Sequence, residues 1–160
     1  MISALEKSVT GARWVPARNL HLTMAFLGRV QDERIAPLST AIGQAVQDHV
    51  DFIVRLGELG AFPYARRARV IWAGLDDPTG GLAGLADSIA DSLEPLGFPR
   101  ETRAFQPHVT LARIRSPKPI ELTVTSTPLA FRVERISLFE SHLRRPAPVY
   151  DELTTFPFRR

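Results

Sequence analysis

The sequence predicts an α+β protein of two similar lobes, each an antiparallel sheet with helices on its outer face, around a central cleft. Three observations carry that expectation. The first is a pair of His-x-Thr runs, His21-Leu22-Thr23 and His108-Val109-Thr110, one in each half of the 160 residues. Each opens a short apolar stretch that reads as a β-strand, so the His and Thr project from one face and the apolar residue between them from the other. The second is a pair of apolar stripes at helical spacing, Ile35, Leu38, Ile42 and Val46, then Leu82, Leu85, Ile89, Leu93 and Leu96. The third is an internal echo. Phe52, Val54, Leu59 and Val70 recur as Phe131, Val133, Leu138 and Val149 at an offset of 79, while the motif histidines are offset by 87. The longer spacing fits a first copy in which a full helix separates motif from strand.

In chain order, Ile2, Leu5 and Val9 share one helical face, so the chain begins in a helix. The first motif strand ends at Gly28. Asp32 caps the next helix, Pro37 sits in its first turn, and the helix runs to about His49. Phe52 to Leu56 reads as a strand, followed by a Gly- and Arg-rich loop through Arg69. Val70 to Leu75 is another strand, rich in β-formers. Pro78 to Gly81 opens the third helix, which Gly97 closes. The second motif strand starts from Pro107, a residue suited to a strand's first position because it has no N–H to donate. Ser116 to Pro119 reads as a loop, and strands follow near 129–133, 135–140 and 149–155.

Composition narrows the function classes. One domain spanning residues 1–160, 44% hydrophobic, holds a real core. No apolar run is long enough to cross a membrane and no signal-peptide pattern opens the chain, so a cytoplasmic protein is expected. With no cysteine, there is neither a disulfide framework nor thiolate chemistry. The net charge of +3 is carried by 18 Arg against 2 Lys. Arginine's planar fork suits phosphate-bearing partners, although codon bias produces the same ratio. The clusters Arg66-Arg67-Arg69, Arg113-Arg115 and Arg144-Arg145 are candidates for an RNA-facing rim.

Two imidazoles and two hydroxyls converging on one cleft suit displacement at phosphorus. One histidine takes the nucleophile's proton and the other gives a proton to the leaving oxygen. Thr23 and Thr110 donate to the non-bridging oxygens, where charge gathers in the transition state. No third metal ligand sits at ligand spacing, so neither a metal nor a cofactor is expected. His49 and His142 lack a Thr two residues on and read as solvent-exposed. Trp72 reads as core; Trp14 is placed equally well in the core or against a base.

With Thr23-Met24-Ala25-Phe26-Leu27-Gly28 continuing the first motif and Gln106-Pro107 preceding the second, the chain resembles the 2H phosphoesterase superfamily. Within it the likeness is strongest to the RNA 2′,3′-cyclic phosphodiesterases, historically called 2′–5′ RNA ligases. Gly11 to Val15, Leu96 to Pro99 and the tail from Leu138 through Tyr150 to Pro157 share the likeness, which covers most of the chain. The resemblance implies a metal-independent phosphodiesterase that opens 2′,3′-cyclic phosphates, at RNA ends or on nucleosides, to 2′-phosphomonoesters. Either histidine can be the base; His108 as base and His21 as acid is the assignment adopted. The resemblance also implies that Arg113 helps hold the phosphate. Strand parity places it opposite His108, so it reaches the cleft only if the strand ends or bulges near Ala112. Two other readings remain: the reverse reaction, 2′–5′ ligation, and a nucleotide-binding module without turnover. Relatives begin with a short apolar strand that is absent before the first helix. The expectation is an upstream start or a missing strand; the protein is expected to be monomeric, with strand exchange between chains if the N-terminus is truncated.

Overall fold

The computed structural model describes residues 2–122, 129–142, 144 and 147–160. Helix α1 (Ile2–Ser8) leads into a short strand β1 (Ala12–Trp14); α2 (Ile35–Val46) precedes the hairpin β2 (Phe52–Phe62) and β3 (Ala68–Asp76). Helix α3 (Gly81–Leu93) precedes β4 (His108–Lys118), and the chain finishes in β5 (Ala130–Val133), β6 (Arg135–His142) and β7 (Val149–Pro157). One antiparallel sheet has the order β1-β4-β3-β2-β5, and β6 and β7 form a second, two-stranded sheet. Among the described residues no helix is long and apolar enough to cross a membrane.

Strand alternation decides where the helices lie. Ile71, Ala73 and Leu75 of β3 are buried on one face, with Leu111, Ala112 and Ile114 of β4. Leu5 of α1 and Val9 just beyond it cover that face at β3 and β4. Leu82 of α3 covers it at Val54 and Leu75. The remaining stripes of α2 and α3 meet each other: Leu38, Ile42 and Val46 pack on Leu85, Ile89, Leu93 and Phe158, and Ile136, Leu138 and Phe156 of the second sheet rest on the same cluster. The helices therefore back both sheets and leave the opposite faces open.

The internal echo has a geometric basis. Register places Phe52 opposite Val133, Ile53 opposite Arg132 and Val54 opposite Phe131. Under the offset of 79, Ile53 and Arg132 are equivalents, and Phe52 and Val54 each pair with the counterpart of the other. That is the pairing about a local two-fold axis, and it makes the β2–β3 and β6–β7 hairpins counterparts. The two sheets are nevertheless unequal, because β5 joins the first sheet before β6 opens the second.

Several boundaries differ from expectation. The first motif is not a full strand: it makes one isolated antiparallel bridge, Leu22 to Val109. It lies along the edge of β4 that also carries β1, and β4 begins at His108, so the chain beyond Thr23 runs past the end of its partner. Asp32 lies inside a 3-10 turn, Asp32–Arg34, and makes no side-chain cap to α2, which ends at Val46 rather than near His49. Ser116 to Lys118 belongs to β4 instead of a loop. Lys118 pairs with Ala68, and a register shift between Ala68 and Val70 accommodates Pro117 where no ladder hydrogen bond is needed.

Candidate active site

The bridge between Leu22 and Val109 sets the site. Directly opposed residues in an antiparallel pair share a face. Continuing the register one step each way puts His21 opposite Thr110 and Thr23 opposite His108. All four side chains then stand on the open face, and the two histidines occupy diagonal positions roughly 7–8 Å apart at Cα, a span that accommodates a phosphate group.

Each imidazole is held the same way. His21 Nδ1 lies 2.7 Å from the Asn19 carbonyl oxygen and His108 Nδ1 lies 2.7 Å from that of Gln106. A carbonyl only accepts, so each Nδ1 carries a proton and donates it. The geometry leaves each Nε2 to exchange a proton with a ligand. The ring of Tyr150 meets His21 edge-on at 5.0 Å, and Phe62 meets His108 edge-on at 5.1 Å with Trp72 at 6.0 Å. Each histidine thus has an aromatic neighbour from one of the two counterpart hairpins.

Arg113 is on the same face, and the reason is a bulge. Ile71 pairs with Ala112 but Trp72 pairs with Thr110, so Leu111 is an extra residue that inverts the parity beyond it. His108, Thr110 and Arg113 consequently oppose Gly74, Trp72 and Val70, alternate residues of β3. Arg13 of β1 lies directly across from Arg113. Both residues are exposed.

Among the described residues, no three His, Cys, Asp or Glu side chains gather as a metal site. His49 and His142 are half-buried rather than exposed. His49 Nε2 lies 3.0 Å from Ser88 Oγ, and His142 Nε2 lies 3.0 Å from the Asp151 carboxylate. Trp72 departs from its expected place in the core, and Trp14 takes one of its two expected settings. Trp14 packs on Ala112 in the core. Trp72 lies half-buried on the open face, its ring over Gly60 and 5.2 Å from Phe62. Its indole N–H is shielded from solvent with no partner among the described residues. Of the expected arginine rim, Arg66, Arg67, Arg69, Arg115 and Arg144 are exposed, and Arg145 lies outside the described residues. Sequence reasoning missed Asn19, Phe62 and Tyr150 as neighbours of the histidines. Their roles depend on backbone carbonyls and on strand register, which leave no residue-type signal.

The fold and this face define a 2H phosphoesterase: the chain belongs to the 2′-5′ RNA ligase superfamily, whose family model it matches over residues 2–145. It is 32% identical over 148 residues to the RNA 2′,3′-cyclic phosphodiesterase of Aeropyrum pernix, covering 87% of this chain and 82% of that protein. Its structure resembles that of TT0787 of Thermus thermophilus, with a TM-score of 0.87 and 29% identity over 99% of this chain and 90% of the other. It also resembles E. coli LigT complexed with 3′-AMP, with a TM-score of 0.77 and 30% identity over 99% and 89% of the two chains.

Proposed function

We propose that this protein is an RNA 2′,3′-cyclic phosphodiesterase that hydrolyses a cyclic phosphate to a 2′-phosphomonoester by two-histidine acid–base catalysis, without a metal. The observation that carries the reading is the matched pair of Nδ1-to-carbonyl hydrogen bonds, which leaves both Nε2 atoms to exchange protons with a ligand. The named relatives support the substrate class, and LigT holds a nucleoside monophosphate.

His108 takes a proton from water as its oxygen bonds to phosphorus. The P–O3′ bond breaks, and His21 gives its Nε2 proton to the departing 3′ oxygen. The products are a 2′-phosphomonoester and a 3′-hydroxyl, with the proton states of the two rings exchanged; solvent resets them. Thr23 and Thr110 donate hydrogen bonds to the non-bridging oxygens, and Arg113 supplies positive charge to the same group. Replacing water by the 5′-hydroxyl of a second RNA end opens the same P–O3′ bond by alcoholysis and makes a 2′–5′ bond. Water in molar excess favours hydrolysis.

The test is a 2′,3′-cyclic nucleotide and a cyclic-ended oligoribonucleotide, each incubated with the protein in excess EDTA and followed by ³¹P NMR. The expected product is the 2′-phosphomonoester, with His21→Ala and His108→Ala each slower by about 10²–10⁴-fold. Loss of turnover in EDTA that zinc or magnesium restores, or a 3′-phosphate product, refutes the mechanism. Tight binding of the cyclic nucleotide with no product favours the module without turnover.

A further inference from the structure

We propose that Asn19 is the positioning residue of His21, acting through a hydrogen bond that ties the first motif to the second hairpin. The inference rests on His21 being the proton donor. Asn19 is the single polar side chain among the described residues that is buried, at 8% exposure. Its Nδ2 donates to the carbonyl of Pro148 at 2.8 Å, and its own backbone N–H donates to the Pro16 carbonyl at 2.8 Å. Its carbonyl accepts the His21 Nδ1 proton. The residue whose carbonyl orients the imidazole is thus fixed at its backbone nitrogen, at its side chain and at the ring it serves.

The two motifs differ in what holds them. His108 opens β4, and the preceding Pro107 carbonyl accepts the backbone N–H of Leu75 at 3.0 Å, so the sheet ladder places it. Gln106, which holds the His108 ring, is exposed and needs no side-chain anchor. Among the described residues the first motif pairs with the sheet through the single bridge at Leu22, and the Asn19 side chain supplies a further constraint. It does so from the residue that precedes β7, the strand whose Tyr150 touches the His21 ring. A free backbone at Asn19 lets the ring rotate away from the leaving oxygen without emptying the binding face.

The test uses the full chain with Asn19→Leu, which keeps the branching of the side chain without the amide, and Asn19→Asp as a second variant should the first fail to fold. Thermal melts establish that the variant is folded. On a 2′,3′-cyclic nucleotide, kcat is expected to fall by up to about 10²-fold with KM little changed. On an activated aryl phosphodiester, whose leaving oxygen needs no acid, the variant should approach the wild-type rate. Imidazole ¹⁵N spectra of the neutral rings should show His21 protonated at Nδ1 in the wild type and redistributed toward Nε2 in the variant, with His108 unchanged. A wild-type His21 protonated at Nε2, or a folded variant with the His21 tautomer and the cyclic-substrate rate both unaltered, overturns the proposal. If His21→Ala itself is not rescued on the aryl ester while the Asn19 variant still shifts the His21 tautomer, the positioning holds and the acid assignment is the part that fails.

Discussion

Gly60→Ala is a small change with a calculable result. A Cβ at position 60 lies within 2.5 Å of Cε2, Cζ2 and Cη2 of Trp72, where an ordinary contact begins at 3.4 Å. The indole must therefore retreat by roughly 1 Å or more, and a ring packed edge and face has no flexible end to yield. The displaced ring presses on Phe62 at 5.2 Å and His108 at 6.0 Å. Overpacking of this kind costs about 1–3 kcal/mol, which lowers Tm by about 2–12 °C in a domain of this size. A His108 shift of about 1 Å costs up to about 10²-fold in turnover. Gly84→Ala is the internal control: it lies on the exposed face of α3 with nothing within 4 Å, so it should stabilise the protein by about 0.5–1 kcal/mol and leave activity unchanged. Trp72→Phe should recover much of the loss in the Gly60→Ala background and couple to it in a double-mutant cycle. Wild-type stability and rate in Gly60→Ala would refute the claim that the Trp72 packing fixes His108.

The rate on a cyclic phosphate should be bell-shaped in pH, because one imidazole must be neutral and the other protonated; a flat profile would exclude the two-histidine mechanism. On an activated aryl phosphodiester His21→Ala should be rescued and His108→Ala should not, and the opposite pattern would exchange their roles. Thr23→Ala and Thr110→Ala should each cost less than either histidine, since proton transfer remains. Burial pushes the Asp77 carboxyl up, but hydrogen bonds from the Thr79 hydroxyl and the Leu82, Thr79 and Gly80 amides outweigh it and hold it below its usual range. Asp77 therefore stabilises the fold above the ordinary carboxylate range, and that contribution disappears as pH falls through the lowered value. Asp77→Ala should cost about 0.5–2 kcal/mol in denaturant melts near neutrality and nearly nothing in strong acid.

Much of the fold could be read from side-chain periodicity. The α2 and α3 stripes, the three final strands and both histidines depend on residue type and spacing. What could not be read depends on pairing. Both faces of β3 are apolar, so nothing in Val70 to Leu75 tells Trp72 from Ile71; the helices choose the buried face. Arg113 reaches the open face because Leu111 is an extra residue, and a bulge of one Leu among apolar neighbours has no composition. The first motif reads as a strand by the same alternation as the second, yet β4 ends beside Thr23 and leaves the rest without a ladder. Asn19 was invisible for a similar reason: the carbonyl that meets His21 is one every residue has, and the Pro148 carbonyl its amide reaches lies 129 residues away.

That single rung between Leu22 and Val109 has a consequence for how the protein fails. Local openings cost less than global unfolding wherever few hydrogen bonds hold a segment. Among the described residues the segment carrying His21 joins a sheet by one bridge, beside one side-chain amide, an aromatic edge and the packing of Leu20, Leu22 and Met24, whereas β2, β3 and β4 pair along most of their length over the apolar faces of the helices. The two halves of the proton relay thus belong to regions of unequal local stability. Under gentle heating or low denaturant the His21 segment detaches while the sheet remains, so inactivation precedes the loss of secondary structure. Amides around residues 19–23 then exchange with solvent through this partial opening, and those of the central strands only through complete unfolding.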